Sequence, residues 1–368
     1  MAGIYIHIPF CKQRCSYCDF FSSTESSKKE RYINALCEEL YERKDYLNEP
    51  VETIYFGGGT PSVLSFSDFE KILYALYSIF GENENREVTL EVNPDDLTPD
   101  YLSIVKFFPF NRISLGIQSF DNRELKLLNR RHNAQSAIQA VERLQQAGYG
   151  NISIDLMYGL PGQDEKIWAE TLRQAIDLQV QHISTYHLTY EEGTELHKQL
   201  KEGSITPVDE EMSNRLFEIL TDMLTATGFE HYEISNFARA GFQSRHNTSY
   251  WNGTHYLGIG ASAHSYNGFS RQWNYKTLVP NYWTSGCEIE ILDEKTKYND
   301  FIITRLRMMK GMDLNELTAL FGDSRKTRCL QRAQKSMVSG LLIYEDNRLR
   351  LTRKGVFISD SIMRDLMD

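Results

Sequence analysis

The sequence contains no run approaching the roughly 18 apolar residues of a membrane-spanning helix, so no span is expected. Basic residues are in deficit: 40 Lys and Arg stand against 50 Asp and Glu, leaving a formal net charge of −10. A chain of that sign repels a phosphate backbone, which argues against nucleic acid as a partner. Cysteine is sparse. Three of the six, Cys37, Cys287 and Cys329, are scattered, and the chain begins without a charged-then-apolar leader. These features predict reduced thiols and a cytoplasmic location, and they leave a peripheral membrane association and a homodimer open. No internal repeat and no low-complexity tail is present. Aromatics are plentiful at 12%, with 21 Tyr and 19 Phe, enough to suit a flat apolar ligand as well as a core.

The other three cysteines stand together. Residues 4–20 read IYIHIPFCKQRCSYCDF, so Cys11, Cys15 and Cys18 follow a strand-like run, Ile4 to Ile8, in the spacing Cys-x3-Cys-x2-Cys. Three thiolates on one short loop can hold three corners of a cubic iron–sulfur cluster, whereas a tetrahedral zinc site needs a fourth ligand nearby. The fourth iron is then free to coordinate a small molecule and pass it an electron.

The 368 residues suffice for one large domain and a smaller one. Strand-like segments at 4–8, 51–56, 87–92, 112–117, 152–157 and 182–188 alternate with helical periodicity at 32–46, 67–80, 98–107, 121–147 and 165–178. This alternation predicts an α/β fold, an incomplete (β/α)6 TIM-like barrel of parallel strands. Chemistry in such a barrel gathers at the carboxyl ends of the strands. There lie Gly57-Gly58-Gly59-Thr60-Pro61, Glu91, Gln118 and Asp155, the last in the otherwise apolar run ISIDLMYGLPGQ. Arg130 opens a basic patch with Arg131 and His132, expected on a helix. Helical segments at 196–201 and 209–227 lead to a strand at 232–238 and then to a loop, RHNTSYWNGTHYLGIGASAHSY, from Arg245 to Tyr266. In it His246 stands beside two large aromatics, Tyr250 and Trp251, which suits either a satisfied surface histidine or a porphyrin ligand. His255 and His264 are weaker ligand candidates. Residues 297–368 read as a winged-helix-like α+β unit, with Asp313 capping a helix and two strands joined by an Asp-Asn turn. The expected division is 1–230, 231–296 and 297–368.

The triad with Tyr17, preceded by Tyr5 and His7-Ile8-Pro9-Phe10, resembles the radical S-adenosylmethionine (SAM) proteins. More narrowly it resembles the branch that contains oxygen-independent coproporphyrinogen III oxidase (HemN-like) and the HemW-type haem chaperones. The resemblance implies a 4Fe-4S cluster on Cys11, Cys15 and Cys18, with SAM beside it. Through the matching strings GGGTP, LEVNP, GIQSF and DLMYGLPGQ it places cofactor contacts at Gly58, Gly59, Thr60, Glu91, Gln118, Arg130 and Asp155, with Tyr5 and Tyr17 among them. HNTSYW matches a motif associated with haem binding, which implies a haem role for His246. The oxidase pattern has a further cysteine where this chain has Phe20, and the oxidase carries an N-terminal extension that this sequence does not match. The resemblance therefore implies a haem chaperone that hands haem to an acceptor protein. The alternative is the oxidase, a radical SAM decarboxylase of porphyrin biosynthesis.

Overall fold

The computed structural model of the protein describes residues 1–280, 282–283 and 287–368. Strand β1 (Ala2–Ile8) starts a series of strand–helix units: α1 (Lys29–Glu42), β2 (Val51–Gly58), α2 (Phe66–Phe80), β3 (Glu87–Val92), α3 (Pro99–Phe107) and β4 (Arg112–Gln118). Two short helices follow, α4 (Asn122–Leu127) and α5 (Ala134–Gln146), then β5 (Ile152–Tyr158), α6 (Glu165–Asp177) and β6 (His182–His187). Strands β1 to β6 pair in parallel in sequence order, the expected incomplete barrel. One expectation fails here. The segment 121–147 is two helices, and Arg130, Arg131 and His132 lie in the loop between them, where Asn129 takes a left-handed φ of 55°.

Side-chain alternation gives each strand two different faces. On β1, Ile4, Ile6 and Ile8 are fully buried in one hydrophobic core with Ile33, Leu36 and Leu40 of α1. Tyr5 and His7 take the opposite face, toward the barrel lumen, and the register sets Tyr5 beside Tyr55 and His7 beside Gly57. The helices are capped by side chains. Ser65 and Asp68 form a reciprocal capping box on α2, and Asp164 caps α6.

After α7 (Glu195–Lys201) and α8 (Glu210–Ala226), the segment 231–296 extends the sheet at both edges. The expected strand at 232–238 is a hairpin, β7 (Glu230–Glu233) and β8 (Asn236–Ala238), with β8 antiparallel to β6. The expected loop from Arg245 begins as a helix, α9 (Arg245–Trp251), capped by the Ser244 hydroxyl. Next, β9 (His255–Ile259) joins the far side of β1 in parallel, and β10 (His264–Tyr266), β11 (Ser270–Asn274) and β12 (Cys287–Ile291) add antiparallel strands beyond it. The glycine-rich GIGASAHS run packs on α1. Gly260 N–H donates to Glu39 at 2.7 Å and Ala261 N–H to the Tyr32 hydroxyl at 2.9 Å.

The C-terminal unit holds α10 (Glu294–Arg307), β13 (Met312–Asp313), α11 (Leu314–Val338), β14 (Leu342–Glu345) and β15 (Arg348–Leu351), closed by α12 (Arg353–Val356) and α13 (Ser359–Leu366). Gly322, at φ 83°, breaks α11 into two helical segments. Asp346 and Asn347 both have positive φ, as a two-residue type I′ hairpin turn requires. Three arginines of this unit are paired within the chain: Arg348 with Asp313, Arg350 with Glu345 and Arg353 with Asp222 of α8.

Glu39 ties α1 to the sheet extension. Its fully buried carboxylate also accepts from Arg43 at 2.8 Å and from Asn274 at 2.7 Å. Removing one member of such a buried, fully bonded set leaves charge without a partner. Glu39→Ala is expected to lower unfolding free energy by about 3 kcal/mol in denaturant titration, and Glu39→Gln, which keeps one acceptor oxygen and removes the buried charge, by less.

Candidate functional site

The three thiols sit on the connection that leaves β1, and that connection is held from outside. Its two ends are tied together by Cys11 N–H to Ser23 O at 2.9 Å and Ser23 N–H to Pro9 O at 2.6 Å. The loop before α5 grips its middle: Ser16 donates to Leu127 O and Leu128 O, and Gln13 and Asn129 exchange side-chain bonds with each other's segments at 2.8 to 2.9 Å. Asp96, almost fully buried, accepts from Lys12 at 2.6 Å, Arg131 at 2.9 Å and Ser62 at 2.8 Å. One carboxylate therefore joins the cysteine loop to the loops after β2, β3 and β4.

Within this frame the thiols line the mouth of a cavity of about 610 Å³ at the carboxyl ends of the strands. Thr60 Oγ1 lies 3.3 Å from Cys11 Sγ, and Arg130 Nη1 lies 3.2 Å from Cys15 Sγ. Arg130 is fixed by Asn93 Oδ1 at 2.7 Å and Gly116 O, while its Nε is buried with no partner among the described residues. Gly58 takes a φ of 109°, and a Cβ on Gly59 would fall 3.0 Å from Cys11 Sγ, so backbone alone can line this side. Burial pushes the Cys18 thiol up to about 11 and raises that of Cys11. As free thiols they hold their protons at neutral pH, and ligation would displace those protons.

The lumen beneath is acidic. Glu91 accepts from the Tyr55 hydroxyl at 2.7 Å, and Ser114 lies 3.4 Å from Asp155. Burial, with Asp155 nearby, raises Glu91 to about 7, and burial likewise raises Asp155. Gln118 reaches the cavity from a bulged end of β4 at φ 73°. Of the residues singled out in the sequence, Cys11, Cys15, Cys18, Tyr17, Gly58, Gly59, Thr60, Glu91, Gln118, Arg130 and Asp155 all line this one cavity. Tyr5 does not; it lies below, its hydroxyl 3.2 Å from His7.

His246 lies elsewhere. It is 1% exposed, its Nδ1 is 2.8 Å from Thr53 Oγ1 near the start of β2, and its Nε2 is 2.8 Å from the Tyr250 hydroxyl. Both ring nitrogens are engaged, at the end of the barrel opposite the thiols. Burial, then the nearby Arg112, lowers its pKa to about 3, so the ring is neutral. His255 pairs with Glu49, and His264 stacks on Trp273. Sequence reading missed Asn93, Asp96 and Tyr55, which hold Arg130, the cysteine loop and Glu91. Asn93 was signalled by its place in LEVNP, whereas no local pattern marks the other two.

Among the described residues no three His, Cys, Asp or Glu side chains are set to hold a single metal ion. Three sulfurs around an open cavity, a guanidinium beside one of them and a glycine-lined wall fit a polynuclear cluster with a polar ligand next to it. A parallel partial barrel that bears such a site on its first loop is the architecture of a radical SAM protein. The Radical SAM superfamily profile matches residues 5–175, and that of the HemN C-terminal domain matches residues 292–358. The solved structure of coproporphyrinogen III oxidase (HemN) from Escherichia coli shares the fold, with a TM-score of 0.84 at 23% identity over 100% of this chain and 90% of that one. The heme chaperone HemW of Bacillus subtilis is 37% identical over 371 residues, 98% of each chain. That of Mycobacterium tuberculosis is 32% identical over 376 residues, covering 99% of this chain and 94% of the relative. The chain belongs to the HemW family of radical SAM proteins.

Two outcomes are expected from this geometry. Asp96→Ala releases Lys12, Arg131 and Ser62 together, so anaerobically reconstituted protein is expected to carry less iron per chain and to lose iron to a chelator severalfold faster than wild type. For Glu91, the folded protein keeps a proton between pH 4.5 and about 7 that the unfolded chain has lost, so stability falls as pH rises through that window. Glu91→Gln is expected to remove that loss, gaining on the order of 2 kcal/mol over wild type at pH 8 and little at pH 4.5, as read by denaturant unfolding of the apo-protein at both pH values.

Proposed function

We propose that the protein is a cytoplasmic haem chaperone that carries a 4Fe-4S cluster on Cys11, Cys15 and Cys18, binds SAM beside it, and transfers haem to an acceptor protein. The observation that carries this reading is similarity over nearly the whole chain to proteins named heme chaperone HemW. When bound, a cluster of this class supplies a single electron to SAM. In this chain Thr60 and Arg130 offer hydrogen bonds to the thiolates, and Arg130, in reach of the cavity, offers a cation for a carboxylate. Glu91, Gln118 and Asp155 present acceptors from the lumen side, and the glycine wall admits a ligand's backbone-like edge.

Phe20 supports chaperone over oxidase. It stands where the oxidase pattern carries a further cysteine, lines the cavity and is 64% exposed, so it offers an aromatic face and no thiol. Tyr186, also lining the cavity and exposed, offers a second face at the mouth. For His246 to ligate haem iron, its bonds to Thr53 and Tyr250 must both break. The overall acidity argues against nucleic acid, and among the described residues no helix is long and apolar enough to cross a membrane.

The test pairs two assays on reconstituted protein under anaerobic conditions. Hemin titration is expected to give a stoichiometric Soret band, followed by transfer to an added apo-haemoprotein. Incubation with SAM, dithionite and coproporphyrinogen III is expected to yield no protoporphyrinogen. Rapid formation of that product, without haem transfer, would establish the oxidase instead.

A further inference from the structure

The HNTSYW helix lies far from the thiols yet is built into the residues that hold Glu91. Helix α9 starts on the carboxylate of Glu87, which accepts from Arg245 N–H at 3.1 Å and His246 N–H at 3.0 Å. Glu87 is the first residue of β3, the strand that ends by carrying Glu91. The imidazole, locked between Thr53 and Tyr250, stacks on Tyr55 with centroids 5.1 Å apart and planes 26° apart, and on Tyr5 at 6.5 Å. Tyr55 in turn donates to Glu91 Oε1 at 2.7 Å. At the other end of the helix, Arg307 lies over the Trp251 ring at 4.5 Å and Arg305 donates to Trp251 O at 2.6 Å. The helix is thus wedged between the C-terminal unit and the floor of the barrel.

We propose that His246 is a positioning residue of the SAM site: through its stack on Tyr55 it fixes the hydroxyl that holds Glu91, and the helix links the C-terminal unit to SAM affinity. The inference rests on the reading of Glu91 as a SAM contact. The ring suits the task because it is flat, neutral and held at both nitrogens, so it cannot rotate away from Tyr55 without breaking a buried hydrogen bond. Any event that draws α9 out of the floor, haem capture by His246 included, would release Tyr55 and weaken SAM binding.

Glu91 reports the coupling. The groups acting on it are the Tyr55 hydroxyl and the Gly58 backbone N–H from β2, Asp155 from β5 and Arg112 from β4; Tyr5 of β1, Tyr186 of β6 and Tyr250 of α9 in turn feel its charge. The Tyr55 hydroxyl favours the carboxylate, so losing its bond raises the pH at which Glu91 ionises.

The experiment measures SAM affinity of cluster-loaded protein from pH 6 to 8.5, with hemin absorbance in a parallel series. Wild-type affinity is expected to rise with pH through a midpoint near that of Glu91. Tyr55→Phe, which keeps the stack and removes the hydroxyl, is expected to weaken SAM binding about tenfold at pH 7 and to move the midpoint upward. His246→Ala is expected to shift both in the same direction, while His246→Gln, with polar atoms for Thr53 and Tyr250, recovers part of the loss. Should His246→Ala fold poorly, Tyr55→Phe and His246→Gln still decide the question. An unchanged midpoint and affinity in Tyr55→Phe and in the His246 variants would overturn the proposal. A lost Soret band with unchanged SAM binding in His246→Ala would assign the residue to haem instead. If wild type itself bound no SAM, the reading of the cavity would fall, and the proposal with it.

Discussion

The lumen of this barrel is lined with polar and ionisable side chains, and each must find a partner away from water. Along β1 to β6 the face turned to the helices is aliphatic, while the inner face carries Tyr5, His7, Thr53, Tyr55, Glu87, Glu91, Arg112, Asp155 and His182. Burying such groups unpaired costs several kcal/mol each, so the remaining chain is arranged to satisfy most of them, although among the described residues Arg112 Nε and Nη1 stay without a hydrogen-bond partner. Helix α9 places an imidazole against Thr53 and its own first N–H groups against Glu87. The hairpin β7–β8 brings Tyr232 to His182, at 2.9 Å. Floor and rim are in this sense one polar network, and the site at the top inherits its order from the plug below.

The same requirement separates the two ends of the barrel chemically. At the thiol end a cavity remains open, lined by glycine backbone and by groups with spare hydrogen-bonding capacity, as a binding site needs. At the other end the histidine and tyrosine of the HNTSYW string bond each other, and Arg307 lies over the tryptophan ring, whose backbone carbonyl accepts from Arg305. An aromatic, histidine-containing string suits a porphyrin in composition and a packed plug in structure; burial and partners distinguish them, and those arise only on folding.

Much of the site was legible in the sequence because it follows local rules. The triad spacing is set within eight residues, and strand ends in a parallel barrel converge, so unusual residues at those ends were bound to meet. Arg130 was found as a site residue but misplaced on a helix, since the break between α4 and α5 depends on Asn129 adopting positive φ and gripping the cysteine loop. Helix α9 read as a loop because seven polar and aromatic residues show no periodicity; its start is set by Ser244 and by Glu87, which is remote in sequence. Asp96 left no signal, being one acid in an acidic turn until Lys12, Ser62 and Arg131 close on it.

By itself the sequence determined the alternation of strands and helices, the three-thiol loop, and the family, because periodicity and spacing are properties of neighbouring residues. The tertiary structure alone decided which of those residues share a cavity, that Glu91 is held by Tyr55, and that His246 faces the barrel floor and not the thiols. These depend on register between strands and on the satisfaction of buried polar groups by partners 36 to 193 positions away along the chain, which no local pattern encodes.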